Sequence, residues 1–127
     1  MAAYTTIDNP ELYFQVELWT GTGSENARTL DGDENMQPDF VWIKRRSTSD
    51  SHTLYDSVRG VTDYLISNAT DAEATNAQTL KSFDSDGFTL GTANEVNKSS
   101  DTFVAWCWKE SATAGFDIIA YTGTGSN

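Results

Sequence analysis

Alternating apolar and polar residues run through most of the chain and predict short β-strands. The first such run, FQVELWT at 14–20, places Phe14, Val16 and Leu18 on one side and polar side chains next to them on the other. This pattern is typical of a half-buried strand. The glycines of the TGTGS motif that follows are expected to end it.

Further strands are predicted where β-branched and aromatic residues stand between polar, glycine-containing runs. They lie at 27–30, 40–46, 52–56, 61–67, 80–90 (a hairpin with its turn at 84–87), 102–110 and 116–121. A short helix is the alternative at 61–67, where β-branched and aromatic content favours the strand. The polar segments 68–79 and 94–101 are predicted to be loops. Before the first strand, Asp8 or Asn9 can cap a short helical turn in which Pro10 takes the first position.

The run TFVAWCWKE at 102–110 is apolar on both of its sides. Val104, Trp106 and Trp108 share one side, and Phe103, Ala105 and Cys107 share the other. Two apolar sides are typical of a central strand that is covered on both. Trp106 and Trp108 are therefore predicted to be core residues.

About eight short strands with little helix predict an all-β fold, an antiparallel β-sandwich or jelly roll that begins with a short helical turn. The pattern does not determine the strand order. We divide the chain into an N-terminal arm (1–13), a β-sandwich module (14–112) and a last segment (113–127). That last segment is either the opening strand of a second repeat or a C-terminal tail.

The two ends of the module carry similar sequences. FQVELWTGTGS at 14–24 aligns with FDIIAYTGTGS at 116–126, with matching apolar positions and an identical TGTGS. Their separation predicts a tandem repeat with a period of about 100 residues. The alternative is that two edge strands of one sandwich share a turn type.

The charge of the chain limits its partners. Nineteen acidic residues against eight basic ones give a net charge of −11. Such a charge disfavours contact with nucleic-acid phosphates and anionic lipids. No apolar run approaches the roughly 18 residues of a membrane span, and the N-terminus lacks the basic and apolar regions of a secretory signal. We therefore expect no nucleic-acid partner and no membrane insertion.

Residues suited to catalysis are few. One histidine, His52, and one cysteine, Cys107, are too few for a zinc site. Cys107 stands between two tryptophans in a strand, where a thiol usually packs in the core. No GxSxG motif is present, and nothing in the sequence marks a buried pair of carboxylates. We expect a protein that is not an enzyme and that needs no cofactor.

Two aspartate-rich turns are weak candidate calcium sites. Asp31 and Asp33 start a run that resembles an EF-hand loop, but Met36 stands where that loop needs glycine. Asp84 and Asp86 form a second cluster of oxygen ligands. Ordinary turn chemistry is the alternative at both places.

Five residues are candidates for partner binding. Lys44, Arg45 and Arg46 form the basic cluster of the sequence and suit an acidic surface on a neighbouring subunit or an anionic glycan. Trp19 lies on the polar side of its strand, which favours exposure. Tyr13 belongs to the helical turn and first strand, which together are expected to act as an anchor.

Four longer motifs are distinctive: PDFVWIKRRS at 38–47, DSVRG at 56–60, DGFTLG at 86–91 and TFVAWCW at 102–108. In this order they resemble repeat domains of marine bacteriophage virion proteins, which are tail-fibre-like, and the resemblance covers residues 4–109. It implies a lectin-like sandwich on the exterior of the phage particle, on the tail more than on the head. It brings no catalytic residue and no defined ligand.

The function that this resemblance implies is structural. We expect a tail-fibre-like module for assembly, docking and host attachment, with other virion proteins as partners and a homo-oligomer such as a trimer. A capsid decoration protein is the alternative within the same class. The alternative from another class is a carbohydrate-binding module that uses Trp19 or Trp42 to bind a host surface glycan.

Overall fold

The computed structural model describes residues 6–126, so that residues 1–5 of the expected N-terminal arm and Asn127 lie outside the described residues. The described residues form nine strands, one short α-helix and one 3-10 turn at Pro10–Leu12. The strands are β1 (Phe14–Thr20), β2 (Asn26–Thr29), β3 (Phe40–Arg45), β4 (His52–Asp56), β5 (Gly60–Ile66), β6 (Ala74–Thr75), β7 (Leu80–Asp84), β8 (Gly87–Leu90) and β9 (Thr102–Trp108), and the helix α1 is Asn94–Asn97. The predicted all-β fold is confirmed.

The strands form two antiparallel sheets that pack as a sandwich. The larger sheet has the order β1-β9-β3-β4-β5-β6, and the smaller has the order β2-β8-β7. The first and last strands of the chain, β1 and β9, are neighbours and pair over seven residues without a bulge. β9 also pairs with β3 on its other side, as the prediction of a central strand requires.

The helical turn before β1 is confirmed as a single 3-10 turn. The Asn9 side chain accepts a hydrogen bond from the Glu11 backbone N–H at 3.0 Å, and Pro10 takes the first position. The Tyr13 N–H donates to the Pro10 carbonyl and closes the turn. Neither this turn nor α1, the two helical elements of residues 6–126, is long and apolar enough to cross a bilayer.

The core lies between the two sheets. One set of alternating side chains on the larger sheet faces the smaller sheet and is buried: Trp19, Val41, Ile43, Tyr55, Phe103, Ala105 and Cys107. The smaller sheet contributes Leu80, Phe88 and Leu90 to the same cluster. The Trp19 indole stacks on Phe103 with ring centroids 5.3 Å apart and meets Phe88 edge-on at 5.8 Å.

The structure differs from the predicted elements in three places. The predicted loop 68–79 contains the two-residue strand β6, and the predicted loop 94–101 begins with α1. The strand predicted at 116–121 is wrong, since this segment forms only an isolated bridge between Phe116 and Ser111. Aromatic and β-branched content alone does not make a strand, because a strand also needs a neighbour for its backbone groups.

Candidate functional site

The side of β1 that is buried is its polar side. Gln15 and Glu17 point between the sheets, while Phe14, Val16 and Leu18 face outward, with 55% of Leu18 exposed. The predicted half-buried strand is confirmed, but the polar residues and Trp19 occupy the buried side. Trp19 is 5% exposed and is therefore not available to a partner on the protein surface.

Local partners explain why a polar side can be buried. The Gln15 amide nitrogen donates to the carbonyls of Glu11 and Glu34 at 2.9 and 2.8 Å, and its oxygen accepts from the Gly32 N–H at 3.1 Å. Glu17 pairs with Arg28 of β2, whose Nε lies 3.0 Å from Oε1. With these partners, the two polar side chains meet their hydrogen-bonding needs inside the sandwich.

The larger sheet therefore presents an uncovered apolar side to solvent, which we name the open face. Paired strands align its side chains in rows, so that Val16 stands opposite Trp106 and Trp106 opposite Trp42. The open face consists of Phe14, Val16, Leu18, Phe40, Trp42, Leu54, Leu65, Val104, Trp106 and Trp108.

Aromatic rings contact one another across the open face. Trp108 lies between Phe14 and Phe40, at centroid distances of 5.0 and 5.4 Å. Trp42 meets Trp106 edge-on at 5.8 Å. The prediction that Trp106 and Trp108 are core residues is therefore wrong. Both are half-buried, because their neighbours shield their edges while their outer side stays open.

Charged groups are scarce on the open face although the chain carries a net charge of −11. Of the side chains that β1, β9 and β3 place there, only Lys44 is charged. Its ammonium group donates to the carbonyls of Arg45 and Thr48. No carboxylate of these three strands would oppose the approach of an apolar partner.

The segment after β9 covers one end of the open face. Phe116 stacks on Trp108 at 6.2 Å and meets Phe40 edge-on at 6.0 Å. From there the chain runs toward β4 and β5, where Ile118 and Ile119 lie beside Leu54 and Leu65. The part of the open face around Val16 and Leu18 of β1 stays uncovered by the described residues.

A family model matches residues 9–127, and the family is described as a domain of unknown function, DUF7483. The chain belongs to this family. The searches of curated proteins and of solved structures found no significant match. The DUF7483 match includes every strand of both sheets and also the segment that follows β9.

The predicted basic cluster of this DUF7483 domain is largely engaged by its own chain. Arg45 forms ion pairs with Asp50, at 3.1 Å, and with Asp101. Desolvation alone would raise the pKa of Asp101, but hydrogen bonds from Ser47 and Arg45 outweigh it and lower that pKa. Lys44 is held by backbone carbonyls, which leaves Arg46 as the exposed member of the cluster.

Tyr13 lies at one end of the open face. It is half-buried and lines a shallow apolar groove together with Phe14, Trp108 and Phe116. Of the predicted partner-binding residues, the structure therefore brings Tyr13 and Lys44 to the open face. Trp19 lies in the core, and Arg45 and Arg46 lie at the end of β3.

The two candidate catalytic side chains, Cys107 and His52, are engaged in packing and hydrogen bonding within the fold. Cys107 is buried in the core, and burial, with a smaller effect of Glu17, raises the pKa of its thiol. The His52 Nδ1 accepts a hydrogen bond from the Trp42 indole N–H at 2.9 Å. This bond fixes His52 beside an aromatic ring of the open face.

Two of the predicted calcium ligands, Asp84 and Asp86, accept hydrogen bonds from the chain itself. The Asp84 carboxylate accepts hydrogen bonds from the hydroxyls of Ser82 and Thr89, both at 2.7 Å. Asp86 accepts from the Met36 N–H at 3.2 Å. Within residues 6–126, no three side chains from histidine, cysteine, aspartate and glutamate come together as a metal site would need.

Sequence reasoning missed Phe14, Val16 and Leu18 as surface residues. The available signal was β9, because both of its sides are apolar. The smaller sheet packs against one of these sides, and the described residues form no further sheet to pack against the other. The uncovered side marks the candidate site.

Proposed function

We propose that this DUF7483 domain is a non-enzymatic docking module that assembles onto a neighbouring protein through the open face. The observation that carries the proposal is the continuous apolar row from β1 across β9 to β3 and β4. Seven-residue strands at sheet spacing give this surface an area of about 400 Å². Contiguous apolar patches of a few hundred Å² on a monomer often mark interaction sites.

The chemistry of the open face favours a protein partner. Its half-exposed indoles and aliphatic side chains gain free energy when another apolar surface removes them from water. Tryptophan is also among the residues that most often dominate binding at protein interfaces. The strands β1, β9 and β3 place no carboxylate on the open face, and Asp56 of β4, which stands opposite Phe40, is buried and paired with Arg59. Little negative charge therefore opposes docking.

The resemblance to bacteriophage virion repeats supplies the setting of the proposal. In that setting, the module is a tail-fibre-like component on the exterior of the particle, with other virion proteins as its partners and with a contribution to host attachment. A head decoration protein would use the same open face in the same way.

Carbohydrate binding is the weaker alternative. Sugar-binding sites combine an exposed aromatic ring with polar groups that bind hydroxyls. Trp19 is buried, and the indole N–H of Trp42 already donates to His52. The two tryptophans that a sugar site would use are therefore buried or already engaged within the chain.

Trp106→Glu should remove the module from particles. The substitution places a carboxylate at the centre of the open face, where docking would have to desolvate it, so we expect binding to weaken by at least about tenfold. The measurement is the amount of tagged chain that co-sediments with purified phage particles, with thermal unfolding to show that the variant is folded.

Val58→Glu is the matched control, since Val58 is 47% exposed and lies in the turn between β4 and β5. It should co-sediment like the unmodified chain. Equal co-sedimentation of Trp106→Glu and the unmodified chain would reject docking through the open face. An unmodified chain that never enters particles would reject the virion setting.

A further inference from the structure

Within the described residues, the outer edge of β1 has unpaired backbone groups. Lys109 N–H donates to the Tyr13 carbonyl, and Gly21 N–H donates to the Asp101 carbonyl, so these positions bond toward β9. Backbone groups alternate in direction along a strand, so the odd-numbered residues of β1 bond to β9 and the even-numbered ones point away. No described residue outside β9 makes a backbone hydrogen bond to residues 14–20.

This edge lacks the features that usually prevent strand addition. Natural edge strands carry lysine, proline or a bulge, or are very short. β1 is seven residues long, contains neither lysine nor proline, and keeps continuous register with β9. An added strand would therefore find a regular template.

The segment 116–126 is built like β1. Its TGTGS motif repeats the local turn of the first: the Thr22 hydroxyl donates to the Ser24 carbonyl at 2.9 Å, and the Thr124 hydroxyl to the Ser126 carbonyl at 3.1 Å. The central glycines of the two motifs, Gly23 and Gly125, have φ values of 72° and 74°. The segment thus ends in the same turn as the loop that follows β1, and no strand of the described residues lies beside it.

Apolar side chains of this segment lie in solvent. Ile119 is 75% exposed and Tyr121 is 87% exposed, the two highest values among the large exposed hydrophobic residues of the described chain. The DUF7483 family model also extends through this segment, so that it belongs to the matched domain. Beyond the bridge of Phe116 with Ser111, an apolar segment with which no strand of residues 6–126 pairs is suited to strand addition.

We propose that residues 116–126 of one copy pair, as an added strand, with the free edge of β1 in a second copy. The packing of Phe116 on Trp108 and Phe40 directs the segment toward β4, so it does not reach β1 of its own chain. The contact joins two different surfaces, which produces head-to-tail chains or rings. It goes beyond the proposed function, because it uses the sheet edge and not the open face.

The same segment is a poor replacement for β1 itself. In the alignment with β1, Ile119 stands at the position of Glu17 and would leave Arg28 without its partner. Asp117 stands at the position of Gln15 and cannot donate the two hydrogen bonds that the amide makes. Addition at the free edge keeps both of these interactions.

Charge does not oppose the pairing. Residues 116–126 contain one charged side chain, Asp117, and β1 contains one, Glu17, which is buried beside Arg28. Two copies with a net charge of −11 each can therefore meet here with little local repulsion.

The test uses two variants that block different halves of the contact. Val16→Pro removes an N–H from the free edge but none that bonds to β9, and prolines are tolerated at such positions. Ile119→Pro removes an N–H from the added strand at a side chain that is 75% exposed. Each variant alone should self-associate at least about tenfold more weakly than the unmodified chain in sedimentation velocity.

Mixing the two variants should restore one contact. The intact segment of Val16→Pro pairs with the intact edge of Ile119→Pro, so the mixture should form a 1:1 dimer and nothing larger. Val16→Ala and Ile119→Val keep the N–H groups and should associate like the unmodified chain. Thermal unfolding of each variant shows whether the sandwich is intact.

Other outcomes reject the proposal. An unmodified chain that stays monomeric at all concentrations, or variants that associate as strongly as that chain, would overturn it. If Val16→Pro loses association and Ile119→Pro does not, the edge of β1 pairs with a segment other than 116–126, and the proposal is wrong. Trp106→Glu should leave this self-association unchanged, so failure here is distinguishable from failure of docking through the open face.

Discussion

Asn97→Ala should lower the free energy of unfolding by about 3 kcal/mol, because it leaves several backbone groups without partners at once. Asn97 is fully buried at the end of α1. Its amide nitrogen donates to the carbonyls of Gly91 and Ser24 at 2.8 and 2.5 Å. Its oxygen accepts from the Thr22 N–H at 2.9 Å.

Urea unfolding measures this change. Asn94→Ala is the matched control, since Asn94 begins the same helix and its side chain is exposed. We expect the control to change stability by less than about 0.5 kcal/mol. A loss below about 1 kcal/mol in Asn97→Ala would show that water replaces the lost partners.

Asn97 also explains the first TGTGS motif. The loop that follows β1 folds against α1, and the Gly23 N–H donates to the Asn97 carbonyl at 2.8 Å. A Cβ at Gly21 would overlap the carbonyl oxygen of Lys98, and Gly23 has a positive φ. Glycine is therefore required there by close approach and by backbone conformation.

Local pattern predicted most of the strands because alternation and β-branched or aromatic content are local properties. The strand at 52–56, the hairpin at 80–90 and the central strand at 102–110 were recognised in this way and are confirmed. The strand order was not predicted. It depends on which distant strands bury one another, and this information is not local.

The orientation of β1 could not be predicted from the local pattern of apolar and polar residues. Hydrophobicity alone would bury Phe14, Val16 and Leu18, but the structure buries Gln15 and Glu17. The deciding partner is Arg28, which stands on a strand of the other sheet. Nothing near 14–20 in the sequence indicates that this arginine will lie opposite Glu17.

The prediction of a strand at 116–121 is wrong for a different reason, which is the lack of a partner strand within residues 6–126. The aromatic and β-branched residues of this segment are typical of a strand, but no strand of the described chain lies beside it. Its exposed Ile119 and Tyr121 could be recognised only after the sandwich was known to be complete without them.

The candidate site was only partly predictable. Tyr13 and Lys44 were selected from the sequence and do lie at the open face, whereas Trp19 was selected for exposure and is buried. The two apolar sides of β9 were the better indicator, since they require more cover than one small second sheet supplies.

Arg28→Leu should cost more stability than Glu17→Leu, although both remove the same ion pair. Arg28→Leu leaves the Glu17 carboxylate, which is 5% exposed, without a partner between the sheets. Glu17→Leu leaves Arg28, whose side chain is 28% exposed and can reach water. We expect losses of about 3 and about 1 kcal/mol, respectively, because an unpaired charge costs more where it is better buried.

The double variant decides whether the pair itself stabilises the fold. Two leucines bury no charge, so Glu17→Leu with Arg28→Leu should be more stable than Arg28→Leu alone. Urea unfolding of the four proteins gives the coupling between the two positions. Additive losses would mean that the two side chains act independently and that water already solvates Glu17. A double variant at least as stable as the unmodified chain would show that the ion pair orients β1, with its apolar residues on the open face, without adding to stability.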